Sequence, residues 1–188
     1  MNYAIILVSG GMDSCVTVAS AINKGYTPAF LHVNYRQRTE KRELESFNDI
    51  ADHYDIEQRL VVDISHLSDI GGSCLTDNQI EVPKANLESA EIPISYVPFR
   101  NANILSAATS WAEILNASAI YVGAVEEDSS GYPDCRRSFF DAFEEVIDNG
   151  TKPDTIIKII TPLISLSKKE IIEKGLSLNV PFHLTWSC

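Results

Sequence analysis

The sequence predicts an α/β fold: a three-layer sandwich around a five-stranded parallel sheet. Three observations predict it. Five short apolar runs rich in β-branched residues, 3–8, 27–33, 57–64, 119–124 and 156–163, recur along the chain, and runs of that length between turn formers read as buried strands. Segments with apolar residues at helical spacing separate them, and strand–helix alternation is the mark of parallel βαβ units. The first run passes through a glycine pair, Gly10 and Gly11, into a helical segment that stops at Gly25. At 188 residues and 45% hydrophobic content, the chain is long enough for one domain, residues 1–188, with a proper core.

The first strand, loop and helix set the chemistry. In SGGMDS, Ser9 to Ser14, the glycines let an anion approach the main chain, and the first N–H groups of a helix lack partners inside it while its dipole adds positive charge there. Ser9 and Ser14 add hydroxyls, and Asp13 is a candidate helix cap or metal ligand. The loop carries no lysine of the GxxxxGK[ST] kind, so a released pyrophosphate fits better than a transferred γ-phosphoryl group. The alternative is a tight turn of any α/β protein.

After the strand 27–33, the charged NYRQRTEKRELE opens a helix whose Leu44, Phe47, Ile50 and Ala51 form an apolar stripe. Arg36, Gln37 and Arg38 fall at the carboxyl end of a parallel strand, the usual ligand edge; Gln37 and Arg38 either line a site or belong to a solvated face. After the strand 57–64 comes an irregular stretch, 65–96, with Gly71, Gly72, Pro83 and Pro93. A loop this long reads as a mobile substrate lid or an insertion. VPFRN then begins a helix with Arg100 and Asn101 in its first turn. A cation there opposes the dipole, so Arg100 points to a bound anion unless solvent alone tolerates it.

The strand 119–124 runs into EEDSSGYPDCR. Asp128 and Asp134 are candidates to hold a metal or accept from a base, Tyr132 to stack on a ring, and Arg136 and Arg137 to pair with anions. After the strand 156–163, Ser167 and Glu170 form a capping box, and Lys168 and Lys169 sit in that helix's first turn with the same conflict as Arg100. The four histidines, 32, 53, 66 and 183, form no spaced pair, and Cys15 reads as a small core residue.

The formal net charge of −11 repels phosphate backbones and weighs against a general nucleic-acid binder. Cysteines 15, 74, 135 and 188 contain no CxxC pair and suggest no disulfide framework. There is no apolar run long enough for a membrane span and no basic leader, so a cytoplasmic protein is expected.

SGGMDS resembles the SGGxDS signature of the PP-loop ATP pyrophosphatases. With the QR pair at 37–38, VPFRN, SGYPDCR, TPLISLSKKE and the terminal TWSC, all in one order, the chain resembles the 7-cyano-7-deazaguanine synthase family of queuosine biosynthesis. The resemblance implies an adenine nucleotide alpha hydrolase-like, Rossmann-like fold and an ATP-dependent ligase that joins ammonia to 7-carboxy-7-deazaguanine and yields the nitrile. It implies that Val8, Ser9, Gly10, Gly11, Met12, Asp13, Ser14, Cys15, Val16, Thr17 and Val18 bind ATP. Asp13, Ser14, Arg100, Lys168 and Lys169 would serve catalysis. Gln37, Arg38, Arg100, Asn101, Asp128, Tyr132, Asp134 and Arg136 would bind substrate, with Asp134 an acceptor for its amino group. Mg²⁺ is expected with the nucleotide, and a homodimer is possible.

The chain departs from the family pattern at Arg36 and Phe99, where glycine is usual, and Phe99 is expected to reshape the substrate pocket. The family places further cysteines after that of TWSC to complete a structural Zn²⁺ site; here the tail after residue 188 is apparently absent, and Cys188 is the expected single ligand of a partial site. Two alternatives keep part of this reading: a PP-loop adenylating enzyme with another acceptor, such as a tRNA sulfurtransferase or an amidotransferase synthetase, and a nucleotide-binding regulator without chemistry.

Overall fold

Ala4, Ile5 and Ile6 are wholly buried because their strand has neighbours on both edges and helices on both faces. The computed structural model describes residues 2–77, 79–81, 92–126 and 131–186. In order, the elements are β1 (Tyr3–Leu7), α1 (Met12–Asn23), β2 (Thr27–Asn34), α2 (Glu40–His53), β3 (Arg59–Asp63), α3 (His66–Ile70), α4 (Arg100–Leu115), β4 (Ala119–Tyr121), α5 (Arg137–Gly150), β5 (Lys158–Ile160) and α6 (Lys168–Ser177), with single 3₁₀ turns at Pro133–Cys135 and Phe182–Leu184. All five strands are parallel, in the order β3-β2-β1-β4-β5. Ile5 pairs with Ala29 on one side and Ile120 on the other.

The expected three layers are present. One core joins the sheet to α1, α2 and α6 through Val16, Phe30, Phe47 and Ile171. The other joins it to α4 and α5 through Leu105, Ile120, Phe140 and Ile159. Among the described residues no helix is long and apolar enough to cross a membrane.

Four strands are shorter than the apolar runs suggest, β4 and β5 most of all. The last rung between β4 and β5 is Val122 N–H to Ile160 O, 2.9 Å. Beyond it Gly123 turns its backbone onto α1, where an added Cβ would lie 3.2 Å from the Asp13 carbonyl. The apolar residues after Tyr121 are therefore buried by packing rather than by the ladder.

Where it is described, the stretch 65–96 contains α3, and Asp77 N–H donates to Ser73 O at 3.0 Å while Cys74 N–H donates to Ile94 O at 3.0 Å. Arg38 ties into it: its Nη2 donates to Asp77 O and Ile80 O at 3.1 and 3.0 Å. Residues 78 and 82–91 lie outside the description.

Both departures from the family pattern fall on left-handed backbone, with φ of 57° at Arg36 and at Phe99. Side chains other than glycine reach that region at a cost, which is a backbone reason for glycine there. Phe99 does not reshape the cavity described below. It is 62% exposed and meets the Phe139 ring edge-on, 6.3 Å between centroids. Phe99→Gly is expected to be more stable than Phe99→Ala by about 1 kcal/mol, the reverse of the order in a helix interior. Urea unfolding of the two variants checks it.

Burial also perturbs three acids. Desolvation pushes the Cys15 thiol up to about 12 from 9.0, and the Tyr54 and Tyr121 hydroxyls up to about 12 from 10.0. Each keeps its proton longer in the folded state, so its stabilisation is complete below the unfolded value and is lost as pH rises through the folded one. Urea midpoints should therefore fall from pH 9.0 toward about 12, less steeply in Cys15→Ala. Equal slopes for the two proteins would contradict the Cys15 contribution.

Candidate active site

The strand order reverses at β1, and a crevice at such a point is where open α/β sheets bind ligands. A cavity of about 660 Å³ lies there, above the carboxyl ends of β1, β2 and β4. Its floor is Leu7 and Val8 from β1, Leu31 and Val33 from β2, and Val122 to Ala124 after β4. Its polar wall comes from distant segments: the loop into α1, Tyr35 after β2, the starts of α2, α4 and α6, and the C-terminal Thr185 and Trp186.

The two glycines of the loop have different reasons. Gly10 has a φ of 89°, and a Cβ on it would stand 2.7 Å from Glu43 O and 2.8 Å from Ser46 Cβ. Its lack of a side chain admits α2, not a phosphate. Gly11 faces the cavity and is the N-cap of α1, with no side-chain cap. Ser14 donates to Gly11 O at 2.8 Å, and Ser9 Oγ accepts from Gly11 N–H at 3.3 Å, so both hydroxyls brace the loop.

Of the segment 8–18, Val8, Ser9, Gly11, Met12, Asp13 and Ser14 line the cavity. Cys15, Val16 and Val18 do not: they point from α1 into the core. Thr17 is buried and donates to Asp13 O at 2.8 Å. The continuous stretch fails after the first helical turn because successive helix positions rotate away from any one face.

Asp13 Oδ2 pairs with Lys168 Nζ at 2.9 Å, joining the first turn of α1 to the first turn of α6. Lys169, one position on, faces away, 83% exposed and 3.8 Å from Glu173. Arg100 reaches the wall from α4. Its Nη1 donates to the Tyr35 hydroxyl at 2.9 Å, and the guanidinium lies 5.4 Å from that ring's centroid. Burial alone would lower the pKa of Arg100, but Tyr35, Cys135 and Asp134 outweigh it and hold it above the ordinary value. The site therefore keeps a permanent cation.

Asn101 lines the cavity, while the neighbouring candidate Asp134 serves α4 instead. Asp134 is 3% exposed, and its Oδ2 accepts from Asn101 N–H at 2.9 Å. It thus caps, from another segment, a helix whose own N-cap residue is Phe99. Gln37 is also off the wall. It is buried, with Oε1 accepting from Tyr35 N–H at 2.9 Å and Nε2 donating to Glu43 Oε2 at 3.0 Å. Arg38 straps the 77–80 turn, Tyr132 bonds Ser95 at 2.6 Å and packs beside the Tyr96 ring, and Arg136 is solvent-exposed. None of Gln37, Arg38, Tyr132, Asp134 or Arg136 lines the cavity. Asp128 and Cys188 lie outside the described residues.

Four wall residues escaped sequence reasoning: Tyr35, Glu43, Thr185 and Trp186. Trp186 N–H donates to Gly10 O at 2.9 Å, fastening the C-terminal segment onto the glycine loop. The TWSC motif signalled that segment, but nothing in it signalled contact with the first loop.

Two metals were expected. Asp13 Oδ1 is, among the described residues, one of the few buried side-chain oxygens without a hydrogen-bond partner, a donor that suits a hard cation held mainly by phosphates. Zinc finds no such match: among the described residues no three His, Cys, Asp or Glu side chains form a metal group, and Cys15, Cys74 and Cys135 are buried.

Fold and loop together define a PP-loop protein of the adenine nucleotide alpha hydrolase-like class. NMN synthetase from Francisella tularensis shares the fold, with a TM-score of 0.55 at 16% identity over 97% of this chain and 64% of that one. The family model described as "Queuosine biosynthesis protein QueC" matches residues 3–188, and the chain belongs to that family. It is 61% identical to the 7-cyano-7-deazaguanine synthase of Chloroherpeton thalassium and 58% identical to that of Chlorobaculum parvum, each over 98% of this chain and 82% of the relative.

Proposed function

We propose that the chain is an ATP-dependent ligase that converts 7-carboxy-7-deazaguanine and ammonia into 7-cyano-7-deazaguanine through an adenylated intermediate. The observation that carries this reading is the convergence of Asp13, Arg100 and Lys168, from three distant segments, on one cavity beside the glycine loop. The names of the curated relatives support the same substrate.

A carboxylate is a poor electrophile, so its oxygen attacks the α-phosphorus of ATP and pyrophosphate departs. In this reading the open first turn of α1, at Gly11 to Ser14, receives the phosphates. Lys168 and Arg100 offset the charge that builds on them in the transition state. Asp13 holds Lys168 in place with Oδ2 and offers Oδ1 to Mg²⁺, which would screen the phosphate charge. Ammonia then adds to the acyl carbon and AMP leaves, giving an amide. A second ATP adenylates the amide oxygen with release of pyrophosphate, and loss of AMP with that oxygen and of the two amide protons leaves the nitrile. The apolar floor from β1, β2 and β4 excludes water that would hydrolyse the adenylate. Gln37, Arg38, Tyr132 and Asp134 act at one remove, by holding the wall residues and the loops around them. The reading places the protein in the cytoplasm with small-molecule substrates and no nucleic acid, and a homodimer remains compatible with it.

Incubation with ATP, ammonia and 7-carboxy-7-deazaguanine, followed by mass spectrometry, should yield the nitrile and AMP. Asp13→Ala and Arg100→Ala should each slow AMP formation by about 100-fold or more, the scale for losing one preorganised charge or donor. Wild-type rates in both would refute the site. Turnover only with another acceptor, or nucleotide binding without turnover, would refute the substrate assignment or the ligase itself.

A further inference from the structure

Ammonia is the one substrate that this site must both capture and deprotonate. In neutral water it is almost entirely ammonium, which has no lone pair to attack with. The cavity therefore needs an anion for the cation and an acceptor for its proton.

Two carboxylates, Asp13 and Glu43, line the described wall. Asp13 is committed to Lys168 at 2.9 Å. Glu43 is held differently. Its Oε2 accepts from Gln37 Nε2 at 3.0 Å, and its Oε1 accepts from the Thr39 hydroxyl. Both donors are neutral, and among the described residues Glu43 has no ion pair. Gln37 is itself fixed, because its Oε1 accepts from the Tyr35 N–H. Glu43 is also where α2 clasps the loop: a Cβ on Gly10 would stand 2.7 Å from Glu43 O. An anion oriented by two neutral groups keeps its charge for a ligand.

We infer that Glu43 binds ammonium and accepts its proton as the carbon–nitrogen bond forms. The inference rests on the ligase reading above. Ammonium first pairs with the Glu43 carboxylate. One proton passes from ammonium to Glu43, and the N–H electron pair so released forms the C–N bond as the acyl C–O bond breaks with its electron pair going to the AMP phosphate oxygen. The second proton leaves the tetrahedral nitrogen to solvent. The other charged or titratable groups around the same cavity are Tyr35, Arg100, Cys135, Asp13 and Lys168. Gln37 is a positioning residue here, which gives its motif a role without contact with substrate.

Glu43→Gln tests this with little change in shape, and Glu43→Asp serves as the variant that keeps the charge. Carboxylate-dependent exchange of pyrophosphate into ATP needs no ammonia and reports both folding and adenylation. In Glu43→Gln that exchange should persist, while KM for ammonium rises by about tenfold or more and the deficit narrows as pH rises and free ammonia grows. Glu43→Asp should recover part of the loss. Hydroxylamine, which is neutral at the same pH, should form the hydroxamate nearly as well in Glu43→Gln as in wild type. Intact exchange with an unchanged ammonium KM, or an equal loss with hydroxylamine, overturns the Glu43 assignment alone. Wild-type protein without carboxylate-dependent exchange overturns the ligase reading beneath it.

Discussion

The architecture of the site depends on one close approach, that of α2 to Gly10. No side chain fits between this residue and the Glu43 carbonyl, and its φ of 89° turns the chain from β1 toward α1. The same residue accepts the Trp186 N–H. Three segments far apart in sequence are thereby clasped at one point, at the carboxyl end of the central strand. Were Gly10 to carry a Cβ, the loop or the helix would have to move, and the cavity would lose a wall either way.

From that clasp the remaining polar groups follow by short tethers. Asp13 reaches α6 through Lys168, and Arg100 reaches β2 through Tyr35. Asp134 supplies α4 with the cap that its own N-cap residue, Phe99, cannot. The wall is thus a ring of helix first turns around a floor of parallel strand ends. Such a ring concentrates N–H groups and two cations on one space, inside a chain whose net charge is −11. Attraction for an anion at that space is local and oriented, against the negative charge of the chain as a whole.

Much of this was legible in the sequence, and for physical reasons. The buried strands announced themselves because both faces of a parallel sheet exclude water, so apolar runs mark them. Arg100 and Lys168 stood out because a cation in a helix's first turn works against the dipole unless something anionic offsets it. Lys169 had the same sign in sequence and failed, since one helical step turned it to solvent. Gln37 and Asp134 fall outside the cavity lining for a related reason: a polar residue at the ligand edge looks the same whether it faces the cavity or props up a neighbour. Tyr35 and Glu43 gave no signal at all. An acid in a helix's first turn is favourable anyway, so nothing in Glu43 marks it as unusual until the fold brings α2 onto Gly10.

Everything chemical in this account requires the substrate carboxylate to be joined to the α-phosphorus of ATP. Labelling that carboxylate with ¹⁸O and analysing the products by mass spectrometry follows the bond directly. The account predicts ¹⁸O in the AMP phosphate. Unlabelled AMP, with the ¹⁸O found in inorganic phosphate or in water, would contradict it.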